Sequence, residues 1–474
     1  MVIKRGMTYN QDALDGESPP VSPRSPEKIQ GDNDIADAGI ELKPLVKGGD
    51  YSHNSDDSEE EEVDSSATRR HVSIETGAHI GATTGHVGTA TNAQVAVNIF
   101  ISFVGAGLLG QPYAFKQSGW LMGGLAVMGV SAANVYAMLL LVKTRKRLEL
   151  SDANKGAIRG YGDIGRVVSG PAGENFVNSC LVISQVGFAT AYIIFIAANL
   201  HSVFPGISRA WICFGCVPVL SVLVQVQDMK TLSPFSLIAD VANLLGLSAV
   251  LLQDFEQYEY HHEAIRAVTN LKGVIYVASV AIYSLEGVNL VLPLESSCAE
   301  RKGFPALLAK VVGGITALMV SFGVAGYVAF GSATEAPITL NLSSEGPWGN
   351  FVKVALSLAL YLTYPVMMFP VGHVMEDNFA SFRQYSVATR ALVVLLTSLV
   401  AYAVPSFGKF LGLLGSSICM VLGFLAPSYF HLKVFERSEL SMLEWLMDWG
   451  LIFIGSIMGV IGTYNSFLDL LDED

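Results

Sequence analysis

From Thr91 onward the chain is a succession of apolar runs, each near the length a helix needs to cross a bilayer, joined by short polar connectors. A spanning helix takes about 20 mostly apolar residues. Eleven such runs can be marked, at roughly 94–116, 120–142, 175–201, 209–226, 233–252, 272–293, 306–330, 350–370, 386–405, 410–430 and 446–466. In hydrocarbon every backbone polar group must be satisfied internally, and runs of this length achieve that as helices. The pattern predicts an all-α polytopic membrane protein of eleven transmembrane helices over residues 91–474. Composition agrees: 51% of residues are hydrophobic and 15% are charged, where a soluble domain carries about 25% charged residues.

Residues 1–90 read differently. They are rich in Ser, Pro, Gly, Asp and Glu, with SPPVSPRSP (18–26) and DDSEEEEVDSS (56–66). So little apolar surface does not offset the entropy of ordering, which predicts a disordered acidic tail. Of the net charge of −13, the first 85 residues hold most, with 17 acidic and 8 basic residues. The acidity therefore belongs to the tail, and no basic, aromatic-interleaved stretch points to nucleic acid. The opening residues lack the continuous apolar stretch of a signal peptide. Serines beside acidic residues suggest contact with a kinase, and Glu41–Val46 nearly fits an acidic dileucine signal read by sorting adaptors.

Lys and Arg are retained on the cytoplasmic side of a membrane. The densest group is KTRKR (143–147), after the second span, whereas the opposite connectors hold only Lys116, Arg209, Arg266, Lys272, Lys353 and Lys409. This predicts a cytoplasmic N-terminus and, with an odd number of spans, a C-terminus in the lumen or outside. The sequon Asn341-Leu-Ser343 falls on that same far side. Five scattered Cys residues show no disulfide framework. Cys213 and Cys216 form a CxxC inside an apolar run with no second ligand pair nearby, so no metal or cofactor is expected.

Two spans are poor continuous helices. The first contains Val104-Gly-Ala-Gly-Leu-Leu-Gly-Gln-Pro112, and the sixth contains Tyr283-Ser-Leu-Glu-Gly-Val-Asn-Leu-Val-Leu-Pro293. Gly and Pro at this density interrupt helices, and broken backbone persists in a membrane only where protein or a water-filled cavity satisfies it. Interruptions at matching positions in two halves, five spans apart, point to an inverted-repeat transporter with a midplane site. Half-helix N-termini offer N–H groups to a carboxylate, and the opposite ends offer carbonyls to an ammonium. A zwitterionic amino acid carries both groups. Gly residues that merely allow close helix packing are the bland alternative.

Glu286 lies mid-span, where a carboxylate costs about 2.5–3.5 kcal/mol and marks function by default. It could carry a coupling proton, balance a substrate ammonium, or pin the break. Asp240 is a second intramembrane acid. Asn98 and Tyr192, with Asn243, Asn289 and Tyr361, are weaker polar candidates, each also explained as an interhelical hydrogen bond. His201, His261 and His262 sit at or beyond the far-side span ends, where a solvated loop His is the simpler reading.

At GAGLLGQPYAFKQSGWLMG (105–123) the sequence resembles the amino acid/auxin permease superfamily, in particular plant vacuolar amino acid transporters and related proton-coupled amino acid transporters. Further matching segments are YGDIG (161–165), SQVGFATAYIIFIAANL (184–200), EGVNLVLPLESS (286–297), YVAFG (327–331), ITLNL (338–342) and SSICMVLGFLAPSYFHL (416–432). The resemblance runs over nearly all of 91–474 and leaves the tail uncovered. It implies a LeuT-like 5+5 inverted repeat plus one helix, and secondary active transport of small neutral amino acids. For the vacuolar branch it implies export to the cytosol. By the same resemblance, Gly105, Ala106, Gly107, Leu108, Ser284, Leu285, Glu286 and Gly287 contact substrate. Mammalian proton-coupled relatives carry a His early in the first span, and alignment on the Gly motif puts Asn98 there. Proton coupling through that position is therefore unavailable, and its site is open. Two other readings stand beside vacuolar transport: a proton symporter of the plasma membrane, and a receptor that reports amino acid occupancy through the tail. No nucleophile–base pair or metal cluster supports an enzyme.

Overall fold

The computed structural model describes residues 88–150, 158–226, 239–252 (without 240 and 244), 265–342 and 347–471 (without 379). The predicted tail up to residue 87, its sorting-type segment, Asp240, His261 and His262 lie outside the described residues.

The described residues form helices and no strand, with one isolated bridge joining Ala90 and Cys298. In chain order the helices are α1 Asn92–Phe103, a 3₁₀ segment Ala106–Gly110, α2 Gln111–Ser118, α3 Trp120–Glu149 and α4 Tyr161–Val203. Then come α5 Arg209–Gly215, α6 Val217–Leu223 and α7 Val241–Leu252. After these follow α8 Leu271–Ser284, α9 Val288–Ser297, α10 Phe304–Phe330, α11 Pro347–Asn378, α12 Ala380–Gln384 and α13 Ser386–Ala403. The last are α14 Phe407–Leu414, π-helical turns at Gly415–Cys419 and Val421–Leu425, α15 Ala426–Val434 and α16 Met442–Leu471.

Among the described residues, eight helices are long and apolar enough to cross a membrane, and the α1–α2 pair makes a ninth if taken as one bent span. The fourth and fifth sequence runs appear as shorter apolar helices, Arg209–Leu223 and Val241–Leu252. The third run begins earlier than its hydropathy suggested. Helix α4 starts at Tyr161 and continues through a kink at Ser169–Gly170, where Gly170 has φ 68° and Pro171 follows. Glycine adopts that left-handed conformation without a Cβ clash, and Pro171 removes one backbone donor. The polar turns before the kink hid the helix from a hydropathy reading.

Local signals explain the element ends. Thr91 caps α1 through a reciprocal pair with Gln94, satisfying N–H groups that the first turn leaves free. Pro112 lies in the first turn of α2, where its missing N–H costs nothing. Helix α4 is the centre of the core: Ala189, Ala191 and Ile193–Ala197 are all buried, the pattern of a helix packed on every side. Helix α16 instead exposes Phe453, Ile454, Val460 and Ile461, as a peripheral helix against lipid does.

Candidate functional site

The two interrupted spans are interrupted in space and lie against each other. Helix α1 ends at Phe103, Val104 leaves helical geometry (φ −89°, ψ 89°), and Gly105 is extended. The chain resumes through the 3₁₀ turn into α2, bent by 46° from α1. In the sixth run α8 ends at Ser284, Leu285 takes φ −100° and ψ 13°, and α9 begins after Gly287. Each restart leaves the first N–H groups without partners in their own helix.

Contacts knit the two breaks together. A Cβ built on Gly107 would lie 2.5 Å from Ser284 Oγ and 3.0 Å from the Tyr283 ring. On Gly287 it would lie 2.5 Å from the Phe103 ring. Gln111, fully buried, donates from Nε2 to Ser284 Oγ at 3.3 Å. Asn134 of α3 donates from Nδ2 to the Leu285 carbonyl at 2.6 Å, a carbonyl that the break takes out of the helical ladder. At Gly105 a Cβ would meet nothing within 4 Å, so this glycine opens on space while Gly107 and Gly287 are contact points.

Glu286 stands in the second break. Its Oε1 is shut from solvent and makes no hydrogen bond among the described residues. Tyr161 and Cys419 lie within its electrostatic reach. Beside it, Tyr283 packs edge-to-face on Phe188 of α4, ring centroids 5.0 Å apart, and Tyr192 is close to Tyr283. The expected residues Gly105, Ala106, Gly107, Leu108, Ser284, Leu285, Glu286 and Gly287 thus form two facing segments, with Tyr192 near them. Asn98 does not join them: it is half-buried on α1, before the break, where its carbonyl accepts Ser102 Oγ. Asn289 lies in the first turn of α9, buried, with Nδ2 unpartnered among the described residues. Gln111, Asn134, Tyr161, Phe188 and Cys419 were not singled out from the sequence. A buried amide in an apolar run was the available signal for Asn134, but hydropathy does not say which face it occupies.

The family model for the transmembrane amino acid transporter protein matches residues 88–468. The chain belongs to that family. This amino acid transporter is 37% identical over 393 residues to the amino acid transporter AVT3C of Arabidopsis thaliana, covering 79% of this chain and 89% of that one. It is 34% identical over 407 residues to the amino acid transporter ANT1 of the same plant, covering 80% and 93%. With vacuolar amino acid transporter 3 of Saccharomyces cerevisiae it shares 28% identity over 400 residues, covering 78% of this chain and 55% of that one. Among solved structures, MhsT in complex with L-phenylalanine superposes with a TM-score of 0.45 at 15% identity, covering 81% of this chain and 100% of that one.

Helix α3 also holds the far end of α9 in the transporter. Arg145, 2% exposed, forms an ion pair with the fully buried Glu295 and donates to Ser296 Oγ (2.7 Å) and the Leu292 carbonyl (3.3 Å). Lys146 reaches the same carboxylate at 3.4 Å. Chain just before α1 joins this end, since Ala90 N–H donates to Ser297 O and Ala299 N–H to Ala90 O, both at 3.0 Å. On the other side of the breaks, Ile338–Asn341 packs on α4 and on the 3₁₀ turn, with Ile338 and Thr339 fully buried. The sequon residue Asn341 uses both side-chain ends there: Oδ1 accepts Glu335 N–H and Nδ2 donates to Ala333 O, each at 2.8 Å. Cys213 and Cys216 are buried free thiols in and beside α5.

Proposed function

We propose that this protein is a secondary active transporter of small neutral amino acids in a vacuolar membrane, moving them from vacuole to cytosol. The substrate carboxylate meets the free N–H groups at the starts of the 3₁₀ turn and of α9, as helix N-termini favour anions. Its ammonium meets Glu286 and the carbonyls of the two breaks. The observation that carries this reading is the facing pair of breaks, with the carboxylate oxygen of Glu286 enclosed and unpartnered between them. Small size follows from the neighbourhood: Tyr283 and Phe188 close one side, and space opens at Gly105.

The reading includes eleven spans. The nine long or bent helices are joined by Arg209–Leu223 and Val241–Leu252, which are shorter and expose apolar side chains such as Val222 and Leu245, as lipid-facing helices do. The breaks in the first and sixth spans support a 5+5 inverted repeat followed by α16. The vacuolar assignment draws on yeast relatives named vacuolar amino acid transporters. Protons are the coupling ion in this reading. The test is flux in proteoliposomes and isolated vacuoles with a panel of labelled amino acids. Alanine and other small neutral substrates should exchange, with bulky and charged ones excluded. Absence of exchange for every amino acid, with correctly inserted protein, would overturn the reading, and imaging of tagged protein separates vacuolar from plasma membrane.

A further inference from the structure

Besides Glu286 and Glu295, a third enclosed acidic group lies away from the breaks. His431 of α15 is 1% exposed and Asp448 of α16 is fully buried. His431 Nδ1 lies 2.7 Å from Asp448 Oδ2, and Tyr136 of α3 donates its hydroxyl to Asp448 Oδ1, also at 2.7 Å. Three separate helices therefore converge on one carboxylate. We propose that His431 and Asp448, held by Tyr136, form the proton-binding site through which the pH gradient drives this transporter. This rests on the transport reading above.

The chemistry is that of a coupled acid–base pair. With Nδ1–H donating to Asp448, the proton to be gained or lost sits on Nε2. When it is present the pair is an imidazolium beside a carboxylate and carries no net charge. When it leaves, an enclosed carboxylate is held only by a hydroxyl and a neutral N–H, and an uncompensated buried charge in a membrane protein is costly. Proton occupancy therefore favours the clasped arrangement of α3, α15 and α16, and proton release favours their parting. Imidazole is the side chain suited to exchange protons between an acidic compartment and the cytosol.

The surrounding charges are accounted for. From α3, Lys143 pairs with Glu444 of α16 at 2.6 Å, and Arg147 with Glu439 at 2.5 Å. From α4, Tyr161 spends its hydroxyl on the Leu422 carbonyl at 3.0 Å, and Arg166 faces Asp163 and Glu174. On α15 itself, Lys433 donates to the Tyr429 hydroxyl at 3.2 Å. The π-helical turn Val421–Leu425 adds no titratable side chain. These groups have other pairings, which leaves His431 as the base facing Asp448. A physical route connects the pair to the breaks: α15 continues from the π-helical turns, Tyr161 is bonded to Leu422 there, and Tyr161 is in turn close to Glu286. π-turns within helices are frequent at functional sites.

The decisive experiment compares two readouts in proteoliposomes loaded with the full-length protein, using labelled alanine. Counterflow exchanges substrate without net proton movement, whereas accumulation under an imposed pH gradient requires coupling. The native protein should do both, concentrating alanine by up to about tenfold per unit of pH gradient for one proton per substrate. His431→Gln and Asp448→Asn should keep counterflow within about twofold of native and lose accumulation, their ratio falling to about one. Asp448→Asn keeps hydrogen-bonding capacity towards Tyr136 and the imidazole while removing the charge, so it serves where His431→Gln fails to fold. The proposal is overturned if either variant accumulates alanine as the native protein does. It is equally overturned if both lose counterflow together with accumulation, which marks a structural pin. Native protein that shows counterflow but no gradient-driven accumulation also overturns it. Native protein without counterflow refutes the transport reading itself, a distinct result.

Discussion

At the scale of single residues, the glycines of the first break have opposite tasks. Gly105 faces the space proposed for substrate, so Gly105→Ala adds a methyl without colliding with protein; protein level should be unchanged while transport of the larger neutral amino acids falls more than that of the smallest, read by counterflow with a substrate panel. Gly107 is pressed on Ser284 and Tyr283. Gly107→Val must push the two breaks apart, and overpacking of this kind costs about 1–3 kcal/mol. Its expected signature is loss of both exchange activity and protein in the membrane, read by counterflow and immunoblot of the same vesicles. The family resemblance implied one common role for these glycines, substrate contact; only the neighbours on α8 separate a contact point from an opening. Glu286→Gln keeps shape and removes charge. With the substrate ammonium deprived of its counter-charge, apparent affinity should fall by about tenfold or more, equal to about 1.4 kcal/mol, while surface and total protein stay constant. Unaltered alanine affinity in that variant would remove Glu286 from the site.

At the scale of elements, α3 is the support for the broken sixth span. It holds Leu285 O through Asn134 on one side of α9 and the Ser296 end through Arg145 on the other. Asn134→Leu strands that carbonyl, at about 1–3 kcal/mol, and should lower alanine affinity more than maximal rate because the break loses its shape. A KM-to-maximal-rate split in counterflow checks this. Arg145→Met leaves the enclosed Glu295 with only the half-exposed Lys146 as counter-charge, a loss of up to about 3–5 kcal/mol. The double change Arg145→Met with Glu295→Leu should recover most of it. Thermal unfolding of purified protein in detergent should therefore place the single variant well below native and the double variant near it. None of this pairing was legible in sequence. The group KTRKR carries a side-of-membrane signal, but that signal counts charges and does not say that Arg145 turns inward while Lys143 and Arg147 meet α16 and the loop before it.

At the scale of the whole molecule, the orientation expected from Lys and Arg places the Arg145 network on the cytoplasmic side and Ile338–Asn341 on the lumenal side. A cysteine introduced at Lys302 should then react with a membrane-impermeant maleimide in intact vacuoles, and one at Glu335 only after permeabilisation. The reverse pattern would invert the topology and the direction of transport. On the lumenal assignment Asn341 stands on the glycosylation side, but its amide nitrogen is bonded to Ala333 O. Native protein should accordingly show no mobility change on treatment with a glycosidase.

By itself the sequence determined the class of molecule and the location of its breaks. Length and apolarity of a run suffice to specify a spanning helix, because hydrocarbon leaves a backbone so few choices. Gly and Pro within such a run specify where it fails, because their effect is local. The family resemblance was legible at the same stretch, 105–123, and the family match over residues 88–468 establishes membership. What only the tertiary structure decided depends on which faces meet. Hydropathy averages over a helix turn and cannot tell a lipid-facing polar residue from one buried against a partner. Asn134, Arg145, Tyr161 and the His431–Asp448 pair acquire their roles from residues more than a hundred positions away or on a neighbouring helix. Asn98, one of the weaker candidates in the sequence, sits on α1 before the first break. The glycines that marked the site from the start proved to be of two kinds, because a missing Cβ can bring two backbones together or leave space between them.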